Sequence, residues 1–453
     1  MSNEKRSSFT GKLGFVLAAA GSAVGLGNIW RFPYLAAKYG GGIFLLVYIV
    51  LAVTLGFGLM TAEIAIGRKT GLSAIGAFKA LNKKFSFIGW IAALVPIIIL
   101  PYYSVIGGWV TKYMVEFISG NGVATAADTY FGNFASQVGE PIFWFLAFIG
   151  VTALVVLCGV EKGVEKVSKV MMPVLVFLSI VIAIYSVCLP GAGVGVRYYL
   201  LPDFSKFSAT TVLAAMGQLF YSMSLAMGIM ITYGSYMKKD VNLESSVSQI
   251  EIFDTGIAFL AGLMIIPALF AVQGPDADVG KGPTLMFVVL PALFAKMGMI
   301  GQFVGAAFFI LVLFAALTSS ISLMETVVSI ICDKCKINRK LSCLVVFIGA
   351  VLLGLPSTLG NGVWSHIKLL PKMAFLDFFD FISNSVIMPI VALITSIFVG
   401  YILKPKAVID EVKLSSKFKR EKLFVLIIKY IAPICILLIL ISSVLDALGI
   451  AKI

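Results

Sequence analysis

The chain has 453 residues, of which 60% are hydrophobic and only 13% are charged, and its mean hydropathy is +1.03. Soluble proteins carry about a quarter charged residues, so this composition excludes a soluble globular protein and indicates one that crosses the lipid bilayer several times. The net charge of +13 could suggest a nucleic-acid partner, but the placement of the charges argues against one.

Apolar runs of about 20 residues mark membrane-spanning helices. We predict eleven of them, at residues 13–37, 43–66, 87–117, 142–158, 167–189, 211–236, 249–271, 301–331, 341–358, 374–402 and 423–447. The N-terminal region has no small-residue cleavage site after a short apolar core, so we do not predict a removable signal peptide.

Lysine and arginine are unevenly divided between the two sides of these spans. With the N-terminus inside, 24 of the 35 lie on the inner side and 8 on the outer side. The positive-inside rule then predicts a cytoplasmic N-terminus and, because eleven is odd, an extracytoplasmic C-terminus. No nucleic-acid partner is expected. The loops carry no Asn-x-Ser/Thr acceptor and the outer loop 119–140 has no cysteine, which favours a bacterial inner (cell) membrane.

The first span is interrupted by a polar, glycine-rich stretch. Residues 21–33 read GSAVGLGNIWRFP. Irregular backbone at membrane depth is tolerated only where it lines a protein-enclosed cavity, because an unpaired backbone group in hydrocarbon costs several kcal/mol. The spacing of Gly21 and Gly25 is also typical of close helix packing. This stretch alone therefore leaves packing and binding open.

A second interruption lies in the sixth span, where small and polar residues occupy 217–228. Two broken helices in corresponding positions predict two related halves with a binding site at the breaks. We expect an all-α integral membrane fold of eleven transmembrane helices, with a 5+5 inverted repeat and helices 1 and 6 broken at the midplane. The first repeat would occupy 1–190, the second 191–403, and a basic cytoplasmic loop with a peripheral span 404–453.

The two breaks predict what binds there. Half-helix N-termini suit a carboxylate, whereas half-helix C-termini and free carbonyls suit a small cation. The ligands expected are therefore a substrate with a carboxylate and Na⁺.

Other spans carry polar residues at membrane depth. Glu63 in span 2 is expected to satisfy backbone groups freed at a break. Asp254 in span 7 is either functional or the carboxylate of a helix start at the interface. Thr318 and Ser319 in span 8 are either cation ligands or bond to carbonyls one turn earlier. Cys332 and Cys335 form a CxxC, but the one histidine, His366, is predicted on the other face, so we expect reduced thiols rather than a metal site.

The stretches 21–33, 222–236 and 315–320 resemble the neurotransmitter:sodium symporter family, especially its bacterial amino-acid transporters, and the resemblance covers nearly the whole chain. It implies two sodium sites. The first would use Ala23, Asn28, Ser222 and Asp254 with the substrate carboxylate; the second would use Gly21, Val24, Ala315, Thr318 and Ser319. The implied substrate pocket comprises Ser22, Ala23, Leu26, Gly27, Ile99, Tyr103, Tyr221, Ser222, Ser224, Met227, Ser319 and Leu323.

The resemblance also implies two gates. The outer gate would pair Arg31 with Asp380, beneath which Tyr221 roofs the substrate. The inner gate would pair Arg6 with Asp333, near Tyr236. Tyr103 would hydrogen-bond the substrate carboxylate.

The sequence departs from the family pattern at three informative places. Gly25 stands where monoamine carriers have an aspartate, which favours a zwitterionic amino acid. Asp254 and Ala258 stand where chloride-dependent members have asparagine and serine, and a built-in carboxylate predicts transport without chloride. Met227 adapts to ligand shape, and we favour a hydrophobic or aromatic side chain.

The resulting hypothesis is a sodium-coupled symporter that works by alternating access and performs no enzymatic chemistry. Two alternatives share the same pocket. One is an amino-acid sensor that binds without transport, and the other is a sodium-leak channel. A pair of gates favours transport, because a sensor does not need to alternate.

Overall fold

The computed structural model of the protein describes residues 8–274, 283–370 and 373–447. Within these ranges it is built from helices and contains no β-sheet. The long helices are α1 Lys12–Ala23, α2 Gly27–Lys38, α3 Gly42–Thr70, α4 Lys83–Ile118, α5 Gly139–Leu157, α6 Val160–Val187, α7 Ala209–Ser222, α8 Ile229–Ser235, α9 Leu243–Gln273, α10 Gly298–Cys335, α11 Arg339–Leu359, α12 Phe375–Ile402 and α13 Glu421–Leu445.

Polar side chains begin several of these helices. Asn242 accepts a hydrogen bond from the amide of Ser245 at the start of α9, and Asn338 accepts one from Leu341 at the start of α11. Ser208 does the same for Thr211 before α7. Such N-caps satisfy amides that have no partner within the helix.

Nine of the helices among the described residues are long and apolar enough to cross a membrane, and α1 and α2 together make a tenth span bent by 53°. The remaining predicted span, 211–236, consists of α7 and α8 with six residues, 223–228, between them. Each half is too short to span alone, which is why the count of apolar helices stops at ten.

Shorter helices lie between the long ones. They are Ala74–Leu81, Tyr130–Ala135, Gly193–Leu200, Leu290–Lys296 and Lys406–Lys413. We call the end of the bundle where α1 and α9 begin the inner face, and the opposite end the outer face. The breaks in α1–α2 and α7–α8 meet between these faces, and they position the site.

Candidate functional site

The first break frees backbone carbonyls at the end of α1. Helix α1 stops at Ala23 because Val24 turns to an extended conformation with φ −75° and ψ 98°. The chain resumes as helix at Gly27 through a π-helical turn that ends at Arg31. The residues of the break are buried, so its carbonyls are available to a ligand rather than to bulk water.

The second break, residues 223–228, runs through left-handed backbone. Ser224, Ala226 and Gly228 have φ of 52°, 61° and 71°. Only glycine adopts such angles without strain. Glu63 on α3 accepts a hydrogen bond of 2.7 Å from the amide of Ala226, which confirms the expectation that Glu63 satisfies backbone at a break.

The two breaks are joined directly. The hydroxyl of Ser224 donates to the carbonyl of Ser22 at 2.9 Å, and the two hydroxyls lie 3.2 Å apart. Gln218 on α7 donates to the carbonyl of Gly27 at 2.9 Å. These contacts fix one interruption against the other.

Asp254 is the centre of a buried polar cluster beside the breaks. Its carboxylate accepts hydrogen bonds from the side-chain amide nitrogen of Asn28 at 2.8 Å, the hydroxyl of Ser222 at 2.6 Å and the hydroxyl of Tyr48 at 2.9 Å. Asp254 is fully buried and lies inside α9, eleven residues after its start. It is therefore not the carboxylate of a helix start at the interface.

A second group of oxygens surrounds Ser319 on α10. Its hydroxyl lies 3.4, 3.1 and 3.4 Å from the carbonyl oxygens of Gly21, Ser22 and Val24. Thr318 donates to the carbonyls of Phe314 and Ala315 at 2.9 and 3.1 Å. The donor set of carbonyl and hydroxyl oxygens is the kind that a hard alkali cation prefers, by analogy with Ca²⁺ and Mg²⁺.

A cavity of about 30 Å³ lies between these two groups. It is lined by all twelve residues of the predicted substrate pocket, and by Gly25, Asn28 and Ile229. A Cβ atom at Gly25 would approach Ser319 Oγ to 2.7 Å and the Tyr103 hydroxyl to 3.1 Å. The Tyr103 hydroxyl accepts a 3.3 Å hydrogen bond from the amide of Leu26.

A larger cavity of about 550 Å³ opens above the small one at the outer face. Tyr221 lines both cavities and separates them. The guanidinium of Arg31 lies 5.2 Å from the centre of the Tyr221 ring. Asp380 instead accepts hydrogen bonds from Tyr102 at 3.2 Å and from Asn384 at 2.7 Å. Between described residues no ion pair joins Arg31 to Asp380, and both side chains line this larger cavity, which we call the outer vestibule.

The inner face is packed shut by comparison. Phe9 is 1% exposed and contacts the rings of Phe15, Tyr233 and Tyr236 edge-on at 5.7, 5.6 and 6.1 Å. The Tyr236 hydroxyl donates to Glu325 at 2.8 Å.

The predicted inner-gate pair is placed only in part. Asp333 accepts a 2.8 Å hydrogen bond from the amide of Ser73 at the inner face. Arg6, its predicted partner, lies outside the described residues.

Sequence reasoning missed Tyr48 and Gln218, which contact Asp254 and Gly27. Tyr48 stands in a run of Ile, Leu and Val that gives no polar signal. Gln218 lies in a stretch with several other polar residues, and nothing in the sequence distinguishes it from them. The six cysteines are free, and Cys332 donates to Ser342 at 3.2 Å. No group of three His, Cys, Asp or Glu residues that could hold a metal occurs in the described ranges.

The family model of the sodium:neurotransmitter symporter family matches residues 6–131 and 129–450. The chain belongs to this family. It is 36% identical to the uncharacterized sodium-dependent transporter YhdH of Bacillus subtilis over 98% of this chain and 99% of that protein. It is 30% identical to the human sodium- and chloride-dependent taurine transporter over 73% of this chain and 61% of that protein.

Among solved structures, the symporter resembles MhsT in complex with L-phenylalanine. The two share 38% sequence identity with a TM-score of 0.87, over 97% of this chain and 100% of that chain. Family and relatives together identify a sodium-dependent membrane transporter.

Proposed function

We propose that this transporter couples Na⁺ entry to the import of a zwitterionic amino acid with a hydrophobic or aromatic side chain. The observation that carries the proposal is the small cavity at the two breaks, which is lined on one side by Asn28 and Ser222, the partners of Asp254, and on the other by Ser319. Broken helices form the substrate and ion sites of many transporters. A member of this family is one of the examples on which that generalisation rests.

Two sodium ions are proposed to bind there. The first would lie among the Ala23 carbonyl, Asn28, Ser222, Asp254 and the substrate carboxylate. The second would lie among the carbonyls of Gly21, Val24 and Ala315 and the hydroxyls of Thr318 and Ser319. Each set would replace the hydration shell of the ion with protein oxygens.

Several features favour a zwitterionic, apolar amino acid. No side chain can extend from Gly25 without displacing Ser319. The protein therefore offers no carboxylate at this position, and the ligand has to bring its own. Ile99, Met227, Ile229 and Leu323 give the cavity apolar walls. The related MhsT structure contains L-phenylalanine. The cavity must expand to hold such a ligand, since about 30 Å³ holds only a few waters.

We propose that transport does not require chloride. The Asp254 carboxylate receives three donors from Asn28, Ser222 and Tyr48, and it supplies the negative charge that an anion would bring. Ala258 is buried one turn further along α9 and offers no hydroxyl.

The proposed cycle is alternating access in an eleven-span protein with two inverted five-helix repeats, 1–190 and 191–403, followed by the peripheral part 404–453. Na⁺ and substrate enter from the outer vestibule, after which Tyr221 and the pair Arg31–Asp380 close above them. Spans 1, 2, 6 and 7, which are α1–α2, α3, α7–α8 and α9, then rock together as one bundle. The inner gate opens toward the cytoplasm of a bacterial cell. Each Na⁺ contributes about 2.3 kcal/mol per 100 mV of membrane potential.

Purified protein in liposomes tests this proposal. We expect uptake of L-phenylalanine or another apolar amino acid to require an inward Na⁺ gradient and to persist when gluconate replaces chloride. Sodium-dependent binding without uptake would instead identify a sensor. Sodium flux without substrate would identify a leak channel, and loss of uptake in gluconate would refute chloride independence.

The substrate can be found by a thermal-shift screen of the twenty amino acids with and without Na⁺. A ligand that binds only the folded state raises its apparent stability. We expect the largest rise from apolar amino acids, and only when Na⁺ is present.

A further inference from the structure

The segment 403–420, which connects α12 to α13 at the inner face, is held by polar contacts that are buried at Arg68 and partly buried at Arg420. These contacts have no part in the proposed substrate and sodium sites. We call this segment the strap. It contains the short helix Lys406–Lys413, whose Val408 and Val412 are buried. Two separate groups of contacts attach the strap, and they come from α3, α9 and the link between α8 and α9.

Arg68, near the end of α3, forms the first attachment. It is 2% exposed, and its Nε donates to the Glu411 carboxylate at 3.0 Å. Its two Nη atoms donate to the carbonyls of Val241, at 2.8 Å, and of Glu411. Lys239 adds a second cation 2.7 Å from the same carboxylate. A buried arginine with this many partners holds its neighbours in one geometry.

Arg420, at the other end of the strap, forms the second attachment. Its guanidinium donates to Ser248 and Glu251 on α9 at 2.5 and 3.4 Å. It also lies 3.4 Å from the centre of the Phe57 ring on α3. The carboxylate of Glu244 accepts hydrogen bonds from the amides of Lys419 and Arg420 at 2.9 and 3.0 Å.

The contacts change where the strap meets α12. On the α12 side, the Phe398 ring lies 5.4 Å from the rings of Phe78 and Phe85, outside the bundle of spans 1, 2, 6 and 7. Lys404 then adopts a left-handed φ of 66° and is followed by Pro405. Left-handed backbone in a lysine is strained. The junction at Lys404 therefore separates two sets of partners.

We infer that Arg68 and Arg420 are positioning residues that make the strap a rigid extension of the moving bundle, with Lys404–Pro405 as the joint between the strap and α12. The inference rests on the proposed alternating-access function. In that cycle the strap travels with α3 and α9 while α11 stays in place. Its attachments then set how far the inner face can open.

Distances between spin labels test this inference without disturbing the attachments. Leu414→Cys labels the strap, Ile252→Cys labels α9 and Leu341→Cys labels α11; these side chains are 61%, 70% and 46% exposed. The six native cysteines are replaced first. Distances are measured pairwise in K⁺, in Na⁺, and in Na⁺ with L-phenylalanine.

We expect the 252–341 and 414–341 distances to shift together between these conditions while the 414–252 distance stays constant. If 252–341 shifts and 414–341 does not, the strap belongs to the stationary part and the inference is wrong, although alternating access stands. If 252–341 is constant in every condition, alternating access itself fails, and the role of the strap fails with it.

A kinetic variant separates positioning from mere structural support. We expect Arg420→Gln to lower kcat of uptake by about 2- to 30-fold, the range for residues that modulate coupling, while KM and the number of sodium-dependent binding sites stay unchanged. Lys422→Gln, an exposed neighbour, should match the wild type. Equal loss of binding and uptake in Arg420→Gln would indicate a purely structural role.

Discussion

At the scale of single residues, Asp254 shows how a buried charge is made tolerable. An unpaired carboxylate is costly in a membrane interior, yet three donors from α2, α3 and α7 converge on this one. The side chains that bind it come from three different spans. The carboxylate thereby links those helices at the place where the proposed first sodium ion binds.

Asp254→Asn keeps the shape of the side chain but removes its charge. We expect the half-saturating Na⁺ concentration for substrate binding to rise at least about tenfold, equivalent to roughly 1.4 kcal/mol, because a neutral oxygen attracts the cation less. Sodium titrations of radioligand binding measure this. Asp203→Asn, on an exposed outer loop, should change nothing; an unchanged sodium affinity in Asp254→Asn would remove Asp254 from the site.

At the scale of elements, the helical hydrogen bonds of the sixth span end at the amide of Met223, which donates to Leu219, and resume at the carbonyl of Gly228, which accepts from Thr232. The backbone amides between these two points have lost their partners within the helix. Glu63 on α3 replaces one of them by accepting from the amide of Ala226. The contact joins the carboxylate of one span to the backbone of another. The break is therefore supported by a neighbouring helix and does not depend on its own sequence alone.

Glu63→Ala and Glu63→Gln form a matched pair for this contact. We expect Glu63→Ala to destabilise the fold by about 1–3 kcal/mol, the cost of a buried donor without an acceptor. Glu63→Gln retains an oxygen acceptor and should lose less. Thermal melting in detergent compares the two, and equal melting temperatures for both variants would contradict the role given to Glu63.

At the scale of the whole molecule, the two faces differ. The outer face has a vestibule of about 550 Å³ that reaches Tyr221, whereas the inner face is closed by Phe9 among Phe15, Tyr233 and Tyr236. In a transporter that alternates between two conformations, packing that stabilises the closed inner face increases the fraction of molecules whose outer face is open.

Phe9→Ala removes the ring that closes the inner face. We expect the equilibrium to shift toward inner-face opening, so that sodium-dependent substrate binding from the outside weakens, because the apparent Kd scales with the inverse of the competent fraction. Equilibrium binding to outside-out vesicles measures the effect. Phe204→Ala, whose ring is 70% exposed, serves as control. Unchanged affinity in Phe9→Ala would show that this packing does not hold the outward state.

The sequence by itself determined the membrane class, the approximate position of each span and both breaks, because hydropathy and glycine content are local properties. It also indicated Glu63 and Asp254, since a carboxylate in an apolar run stands out. The resemblance supplied the twelve residues of the predicted substrate pocket, and all twelve line the small cavity together with Gly25, Asn28 and Ile229.

Only the tertiary structure decided which distant residues meet. Tyr48 reaches Asp254 across 206 positions and Arg68 reaches Glu411 across 343, and no local pattern encodes such a pairing. Arg31 and Asp380 line the same cavity without forming an ion pair, and this too depends on how distant helices pack. Because the bilayer core is apolar, the residue types of each span reveal it in the sequence. The contacts that form the site between spans depend on side-chain packing, which only the folded structure shows.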